Sequence, residues 1–213
     1  MISRTFALLL LLATSPLVVF AQPDSGPVTR EIAWDGSESM VLDVPANVRF
    51  VQASGPGKVV ITGPRRSVET FTVAGGVLKD GTLRTGERLH IFVTAPKIIR
   101  FSVKGSDHLV IEGFDQDELR IETTGRADVK ASGCARTIRL NLQGSGWADL
   151  SQLKTDGAEV MLTGGRNAII APTMWAKLSG NGDVVLLTQP PELTLKFGDS
   201  GRVLQTSSPT HSR

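Results

Sequence analysis

The densest acidic group in the sequence is F-D-Q-D-E-L-R, in which Asp115, Asp117 and Glu118 stand within four residues. Neighbouring carboxylates can act as the acid and the base in glycan cleavage, and β-helical polysaccharide lyases and hydrolases cluster acids on one sheet face. Such enzymes usually surround a cleft with long loops, whereas every return in this chain is short. We therefore interpret the group as a solvated turn, and glycan chemistry stays an alternative.

A second set of polar residues recurs at intervals near twenty and comprises His108, Asp128, Trp147, Asn167, Asp183 and Arg202. A ladder of metal ligands would need repeated carboxylates, and only Asp128 and Asp183 are alike. With two coils between them, these two would lie about 10 Å or more apart, too far to share an ion. The G-N-G-D-V stretch resembles a calcium-binding nonapeptide, but that site needs tandem nine-residue copies. The sequence predicts a solvated column and no metal site.

Cysteine and histidine offer no catalytic set. Cys134 is the single cysteine, so it has no internal disulfide partner and no zinc cluster around it. Its place in A-S-G-C-A-R predicts a small buried thiol, with a reactive or dimer-linking thiol as the alternative. His90, His108 and His211 fall in a predicted strand, a corner and the tail, so no Ser-His-Asp set can be nominated. We predict no catalytic residue and no cofactor.

These residues belong to a pattern that recurs along residues 98–205. Each copy contains a glycine-rich corner, where glycine can adopt positive φ and turn the backbone sharply. Opening residues of successive corners are spaced by 20, 19, 20, 16 and 19 residues. A period near twenty is typical of a solenoid, whose repeats bury their apolar faces on one another. The predicted turn residues are Gly105, Gly125, Gly144, Gly164, Gly180, Gly182, Asp199 and Gly201.

Apolar and polar residues alternate on both sides of each corner. The period of two predicts a strand with one buried face before the corner and another after it. Because the strands recur after a return of about a dozen residues, successive copies should pair in parallel with right-handed crossovers. The fold class predicted is all-β: a parallel, right-handed β-helix of about six coils with an irregular β N-terminal section. The predicted interior positions include Phe101, Ile121, Leu140, Val160, Met174, Leu193 and Leu195.

The rest of the chain is predicted to serve this solenoid. Residues 1–21 are a secretory signal with V-F-A before the cleavage point, and its interrupted apolar run argues against a membrane anchor. Residues 22–38 are a loosely ordered leader, 39–97 a β section that covers the open end of the rod, and 98–205 the repeats. Residues 206–213 are a disordered tail, and no segment of the mature chain has a helical period. We expect export to the periplasm, the outer surface or the medium, with no stable membrane span after cleavage.

The net charge and the aromatic content limit the classes of binding partner that the sequence supports. The formal net charge is only +2, lysine and arginine are scattered, and tyrosine is absent. The sequence therefore predicts no nucleic-acid partner, because it shows neither a basic patch nor a stacking groove.

Several segments together are similar to one known family: A-P-K-I-I-R-F-S-V-K-G-S-D-H-L-V-I-E-G-F, L-N-L-Q-G-S-G-W-A-D-L-S-Q-L, L-S-G-N-G-D-V-V-L-L-T-Q-P-P and the upstream V-R-F-V-Q-A-S-G-P-G-K-V-V-I-T-G. Over residues 41–205 the chain resembles the bacterial GIN-domain family of autotransporter adhesin heads. The resemblance implies an extracytoplasmic β-helical domain with no assigned catalytic residues. Arg126 with Ala127, Arg166 and Asp199 depart from the family's G-S-G corners, which predicts looser or differently hydrogen-bonded corners there.

The sequence therefore favours a non-enzymatic, adhesin-like domain that engages an envelope protein or a surface glycan through its sheet faces or end coil. One alternative is a structural protein that forms homo-oligomers through exposed coil edges, and a second is a glycan-active β-helix enzyme. The first residues to test for binding are the outward-pointing ones of the predicted sheet: Arg120, Glu122, Arg139 and Asn141.

Overall fold

The computed structural model describes residues 26–80, 87–105, 107–198 and 200–206, which contain sixteen strands and one short helix. The predicted signal (1–21), Asp199 and residues 207–213 of the predicted tail lie outside the described residues. No helix in the described ranges is long and apolar enough to cross a membrane. The elements are β1 (Val28–Ala33), β2 (Ser39–Asp43), β3 (Ala46–Gln52), β4 (Lys58–Gly63), α1 (Arg65–Thr70), β5 (Thr72–Ala74), β6 (Val77–Lys79), β7 (Leu89–Ala95), β8 (Arg100–Gly105), β9 (His108–Gly125), β10 (Asp128–Gln143), β11 (Gly146–Thr163), β12 (Arg166–Ile170), β13 (Pro172–Gly180), β14 (Asp183–Leu186), β15 (Glu192–Phe197) and β16 (Val203–Gln205).

The strands form a parallel β-solenoid of about five turns, which confirms the predicted fold class. Two parallel ladders run along it. Ladder A stacks β2, β8, the C-terminal parts of β9, β10 and β11, then β13 and β15. Ladder B stacks β3, the N-terminal parts of β9, β10 and β11, then β12, β14 and β16. The predicted six coils correspond to six ladder A strands from β8 to β15, which delimit the five turns.

Like side chains stack over like in the interior of ladder A. Phe101 pairs with Ile121, Ile121 with Leu140, and Leu140 with Val160. Each of the four is no more than 2% exposed. This register is what the alternation of apolar and polar residues predicts, because a slip of one residue would turn every apolar side chain into solvent.

One coil departs from the predicted register. Ala158 pairs with Ala176 and Leu162 with Gly180, so Gly180 lies level with Leu162 and not with Gly164. The corner that follows is two residues shorter than the others, because Asn167 still pairs with Asp183 on ladder B. The prediction that Met174 faces the interior is wrong, because β13 carries an extra residue between the pairs Thr155–Pro172 and Gly157–Trp175, and the Met174 side chain is 56% exposed.

The N-terminal section continues the solenoid in an order that does not follow the chain. β2 and β3 form a coil that lies between the coil of β6 and β7 and the coil of β8 and β9. The rings of Phe50 and Phe101 meet edge to face across this junction, with centroids 5.2 Å apart. Both residues are fully buried, so the section shares one core with the repeats.

Antiparallel strands close the N-terminal end of the solenoid. β4 pairs with β7, β1 with β4, and β5 with β6, all antiparallel, and α1 packs against β1 and β4. Two predictions are corrected here. Residues 28–33 of the predicted loose leader form a strand, because its backbone groups pair with β4. Residues 65–70 form a helical turn where the sequence predicted none.

The C-terminal end of the solenoid lacks such a cover within the described residues. β15 pairs with β13 alone, and β16 with β14 alone. Leu193 and Leu195 continue the interior column through Ala176 and Leu178, as predicted. They are nevertheless 39% and 49% exposed, since no later strand of the described chain packs over them.

Candidate functional site

A shallow groove lies on the outer face of ladder A and is the candidate functional site. It has a volume of about 270 Å³. We call it the ladder A groove, and its lining residues are Arg120, Ile121, Glu122, Arg139, Leu140, Asn141, Glu159, Met161 and Ser179. The parallel register brings the four outward residues of the sequence analysis together, since Arg120 pairs with Arg139 and Glu122 with Asn141.

Charged side chains are fixed along one side of the groove. Arg120 Nη2 donates a 2.7 Å hydrogen bond to Glu118 Oε2, and Arg139 Nε lies 3.1 Å from Glu118 Oε1. Glu159 Oε2 lies 3.7 Å from the same Arg139 nitrogen. The Arg120 hydrogen bond, helped by the charge of Arg139, lowers the pKa of Glu118 below its ordinary value. Glu118 therefore stays ionised at neutral pH and holds two arginines side by side.

Two polar atoms of the groove are buried without a hydrogen-bond partner in the protein. They are Arg120 Nε, which is a donor, and Asn141 Oδ1, which is an acceptor. An unsatisfied buried polar atom costs free energy of about 1–3 kcal/mol. Both atoms are closed to solvent, so they add to the cost of folding and are not themselves contact points of the groove.

An aromatic side chain lies on the same face, beside the groove. Trp175 pairs with Gly157, and its indole covers that glycine so closely that a Cβ at position 157 would lie 2.0 Å from Trp175 Cε2. Lys177 Nζ lies 5.6 Å from the ring centroid. Met161, which lines the groove, is 50% exposed. The sequence analysis missed Trp175, although its outward position next to Ala176 and the glycine one coil earlier were visible signals.

A family model described as "Putative auto-transporter adhesin, head GIN domain" matches residues 40–190. The chain belongs to this family. Among curated proteins, none matches this GIN domain significantly.

Solved structures share the fold of this GIN domain. A crystal structure named "putative adhesin" from Bacteroides fragilis is 19% identical with a TM-score of 0.69, covering 86% of this chain and 99% of that one. Another "putative adhesin", from Parabacteroides distasonis, is 12% identical with a TM-score of 0.54, covering 86% and 98%. A "putative lipid binding protein" from the same species is 14% identical with a TM-score of 0.51, again covering 86% and 98%. None of these names describes an enzyme, and at these identities the likeness establishes the fold alone.

The acidic group of this GIN domain lines an open depression of about 500 Å³, together with Gln52, Pro96, Lys97 and Ile99. Asp117 Oδ1 forms an exposed ion pair with Arg136 Nη2 at 2.8 Å, while the Glu118 carboxylate is held by Arg120 and Arg139. The backbone of Asp115 exchanges hydrogen bonds with the side chain of Gln52. The carboxylates of Asp117 and Glu118 therefore share one depression but are engaged in separate ion pairs with arginines.

The recurring polar column runs along the outer edge of ladder B. His108 Nδ1 lies 3.4 Å from Asp128 Oδ2, and Asp128 Oδ1 accepts a hydrogen bond from the Trp147 backbone N–H. Arg202 pairs with Asp183 at 3.0 Å. Among the described residues, no group of three His, Cys, Asp or Glu side chains is placed to hold a metal ion.

The cysteine prediction is wrong, because Cys134 is exposed. Alternation along β10 from the buried Ala131 points Gly133 inward and Cys134 outward. Ala135 takes the buried position instead. Cys134 borders a second shallow surface depression of about 510 Å³, on the short return side of the coils.

The corner glycines of this GIN domain are crowded by the coil below. A Cβ at Gly144, where φ is 101°, would lie 2.3 Å from the Gly125 carbonyl oxygen. Gly182 and Gly201 do not have positive φ, and Asp199 lies outside the described residues. The predicted turn residues with positive φ are Gly105, Gly125, Gly144, Gly164 and Gly180.

Arg166 occupies a corner position where the family prefers a small residue, and it is fully buried. Its guanidinium donates hydrogen bonds of 2.7 to 2.8 Å to three backbone carbonyls, those of Gly125, Ala127 and Gln143. Burial lowers the pKa of Arg166, and the charge of Asp128 opposes that shift. The corner is thus differently hydrogen-bonded, as one of the two predicted outcomes states, and it is tied to its neighbours.

Proposed function

We propose that this GIN domain is an exported, non-catalytic, adhesin-like module that binds a cell-envelope glycan through the ladder A groove. The observation that carries the proposal is the groove itself, whose lining sets the polar side chains of Arg120, Arg139, Asn141 and Glu159 around the exposed side chain of Met161. A sugar offers neighbouring hydroxyl groups that can bond to such donors and acceptors.

The surroundings of the groove favour a sugar over a simple ion. Glu118, Arg120 and Arg139 form a rigid rim that can hydrogen-bond hydroxyl or carboxylate groups. The Trp175 indole supplies a flat apolar surface, and Met161 supplies a second exposed apolar contact. Specific ligand sites combine apolar surface with a few fixed polar groups in this way.

A repeated sheet face also suits a polymer. Neighbouring strands in a sheet are about 4.8 Å apart, so groups of one column recur at nearly the length of one sugar residue. Arg100, Arg120, Arg139 and Lys177 occupy one outward column, which Glu159 interrupts and Thr194 ends. A glycan that lies along the solenoid could contact several coils at once and gain avidity from them. An acidic glycan should therefore bind more tightly than a neutral one.

Glycan-array binding of the purified chain, followed by titration calorimetry, tests the proposal. We expect binding to at least one acidic polysaccharide, and a loss of about tenfold or more in Asn141→Leu and Trp175→Ala, since each removes one contact of about 1–2 kcal/mol. Asn167→Leu is the matched control, because Asn167 is an exposed outward residue of ladder B. Absence of binding across acidic and neutral glycans, or equal losses in the control, would refute the groove as a glycan site.

The same material distinguishes the enzyme alternative and tests export. A glycan-active enzyme would shorten the bound polysaccharide, and Asp115→Ala or Asp117→Ala would abolish that turnover. We expect the polysaccharide length to stay unchanged. Export predicts that the protein recovered from the envelope or the medium begins at Gln22, as intact-mass measurement would reveal.

A further inference from the structure

The last strand of ladder A has the features of an assembly edge. The inward side chains of β15 are Leu193, Leu195 and Phe197, and none of them is charged. Natural edge strands are commonly protected by inward-pointing charges, proline or a covering segment. The opposite end of the solenoid has such a cover in β1, β4 and α1. The two ends are therefore unequal, and the exposed apolar residues lie at the C-terminal one.

We propose that two copies of this chain associate end to end through β15, in a two-fold symmetric, antiparallel pair centred on Thr194. A two-fold axis always pairs a strand with its own copy in antiparallel orientation. Under this register Glu192 lies opposite Lys196 of the second copy, and the reverse pair forms as well. Leu193 lies opposite Leu195 in the same way.

The sequence of β15 selects this register. Opposite residues of an antiparallel pair must point to the same side of the sheet, so Leu193 has to face another inward residue. Centring the pair on Leu195 also keeps the sides matched, but it sets Glu192 opposite Gly198 and leaves no charge pairs. Centring it on Thr194 forms two opposite-charge pairs on the outer face and two leucine pairs inside. The segment Glu192–Lys196 is thus self-complementary in charge and in shape.

The free backbone groups of β15 fit the same arrangement. Gly198 N–H donates to the Gly180 carbonyl on β13 at 3.0 Å. Because backbone groups alternate along a strand, the N–H and C=O groups of Leu193 and Leu195 point away from β13. In a pair centred on Thr194 these residues are the ones that exchange hydrogen bonds, whereas Thr194 faces its own copy at a non-hydrogen-bonded position.

Residues 207–213 follow β16 in the sequence and read S-S-P-T-H-S-R, with no large aliphatic side chain that could cover Leu193 and Leu195. The self-complementary strand therefore favours a second copy as the occupant.

Light scattering of the purified chain from micromolar to millimolar concentration tests the proposal. We expect a concentration-dependent dimer and no larger species, because a two-fold contact closes on itself. Glu192→Lys or Lys196→Glu should weaken the dimer about tenfold, since each creates two like-charge pairs. The double variant with both changes restores opposite charges and should dimerise like the parent. Glu192 and Lys196 are both exposed, so the fold should tolerate all three variants.

A cross-link tests the register directly. In a Cys134→Ser background, Thr194→Cys should form an intermolecular disulfide, because the two Cα atoms of a non-hydrogen-bonded pair are about 4.5 Å apart, within the range that a disulfide spans. Thr163→Cys, at another exposed threonine of ladder A, is the matched control and should not cross-link.

Several results would overturn the proposal. They are a monomer at millimolar concentration, a dimer that survives Leu195→Lys, or failure of the double charge swap to restore what each single change removes. Dimerisation that appears only after deletion of residues 207–213 would show that the tail covers the end in place of a second copy. None of these variants touches the ladder A groove, so glycan binding and dimerisation can succeed or fail separately.

Discussion

Arg166 Nη1 donates a 2.8 Å hydrogen bond to the carbonyl oxygen of Ala127, which lies two coils earlier in the solenoid. The side chain passes Gly146, its partner on the intervening coil, where a Cβ would lie 2.3 Å from that same carbonyl oxygen. The Arg166 side chain can therefore reach Ala127 only because position 146, on the coil between them, is a glycine. Three corners are joined by a single guanidinium, which explains how a buried arginine is retained without a buried acid beside it.

Arg166→Ala is expected to lower the free energy of unfolding by about 2–4 kcal/mol, because three carbonyls lose a donor and a cavity remains. Arg126→Ala, at an exposed corner residue, should cost less than about 0.5 kcal/mol. Urea unfolding of both variants beside the parent measures the difference. Equal effects in the two variants would mean that the three hydrogen bonds of Arg166 do not hold the corners together.

A second corner predicts a dependence of stability on pH. Asp107 is buried, and its Oδ1 accepts a 3.0 Å hydrogen bond from the Ala46 backbone N–H while Oδ2 has no partner in the protein. Burial raises the pKa of Asp107 from its ordinary 3.8 to about 6, with Arg88 opposing the rise and Asp43 adding to it. Between these two pKa values the folded chain binds more protons than the unfolded chain. The contribution of Asp107 to stability should therefore fall as pH rises from about 4 to about 6.

Asp107→Asn isolates that contribution, because the amide keeps the acceptor for Ala46 and cannot ionise. We expect the variant to unfold at a higher temperature than the parent at pH 8, with the gap closing toward pH 4. Melting temperatures across that range provide the measurement. A gap that is independent of pH would assign the effect to packing and not to ionisation.

Alternation and period were enough to predict the solenoid, and physical reasons explain where they failed. An extra residue on β13, between the pairs Thr155–Pro172 and Gly157–Trp175, turns Met174 outward although it fits the apolar pattern. Cys134 has a residue type that is usually buried, but it lies at an outward position of the alternation, next to the buried Ala135. Local composition marks neither feature.

The order of the N-terminal strands in the sheet could not be predicted from the sequence either. β3 pairs with β7 on one side and with β9 on the other, and nothing in the three segments states which will be neighbours. The groove was predictable in part, since Arg120 and Asn141 are outward residues of consecutive strands. Their unsatisfied atoms depend on side-chain positions that no sequence pattern specifies.

Two leucines in the same interior column should differ in their effect on stability. Leu140 is 2% exposed between neighbouring strands, whereas Leu195 is 49% exposed on the last strand. Leu140→Ala should cost about 2–5 kcal/mol through lost contacts and a residual cavity. Leu195→Ala should cost less than about 1 kcal/mol in dilute solution, where association contributes nothing. Denaturant unfolding at low protein concentration measures both, and a large loss in Leu195→Ala would imply that the tail or another segment covers it.

The contact between Gly157 and Trp175 predicts that the residue at position 157 controls where the Trp175 indole lies, and so controls glycan binding. A methyl group at position 157 would lie 2.0 Å from the indole, so Gly157→Ala must displace Trp175 from the sheet. We expect glycan affinity to fall by about tenfold, as in Trp175→Ala, with little change in melting temperature, because the indole lies on the outer face. Gly165→Ala is the control, since a Cβ there meets nothing within 4 Å. If Gly157→Ala binds glycan as tightly as the parent does, the indole is not part of the binding surface.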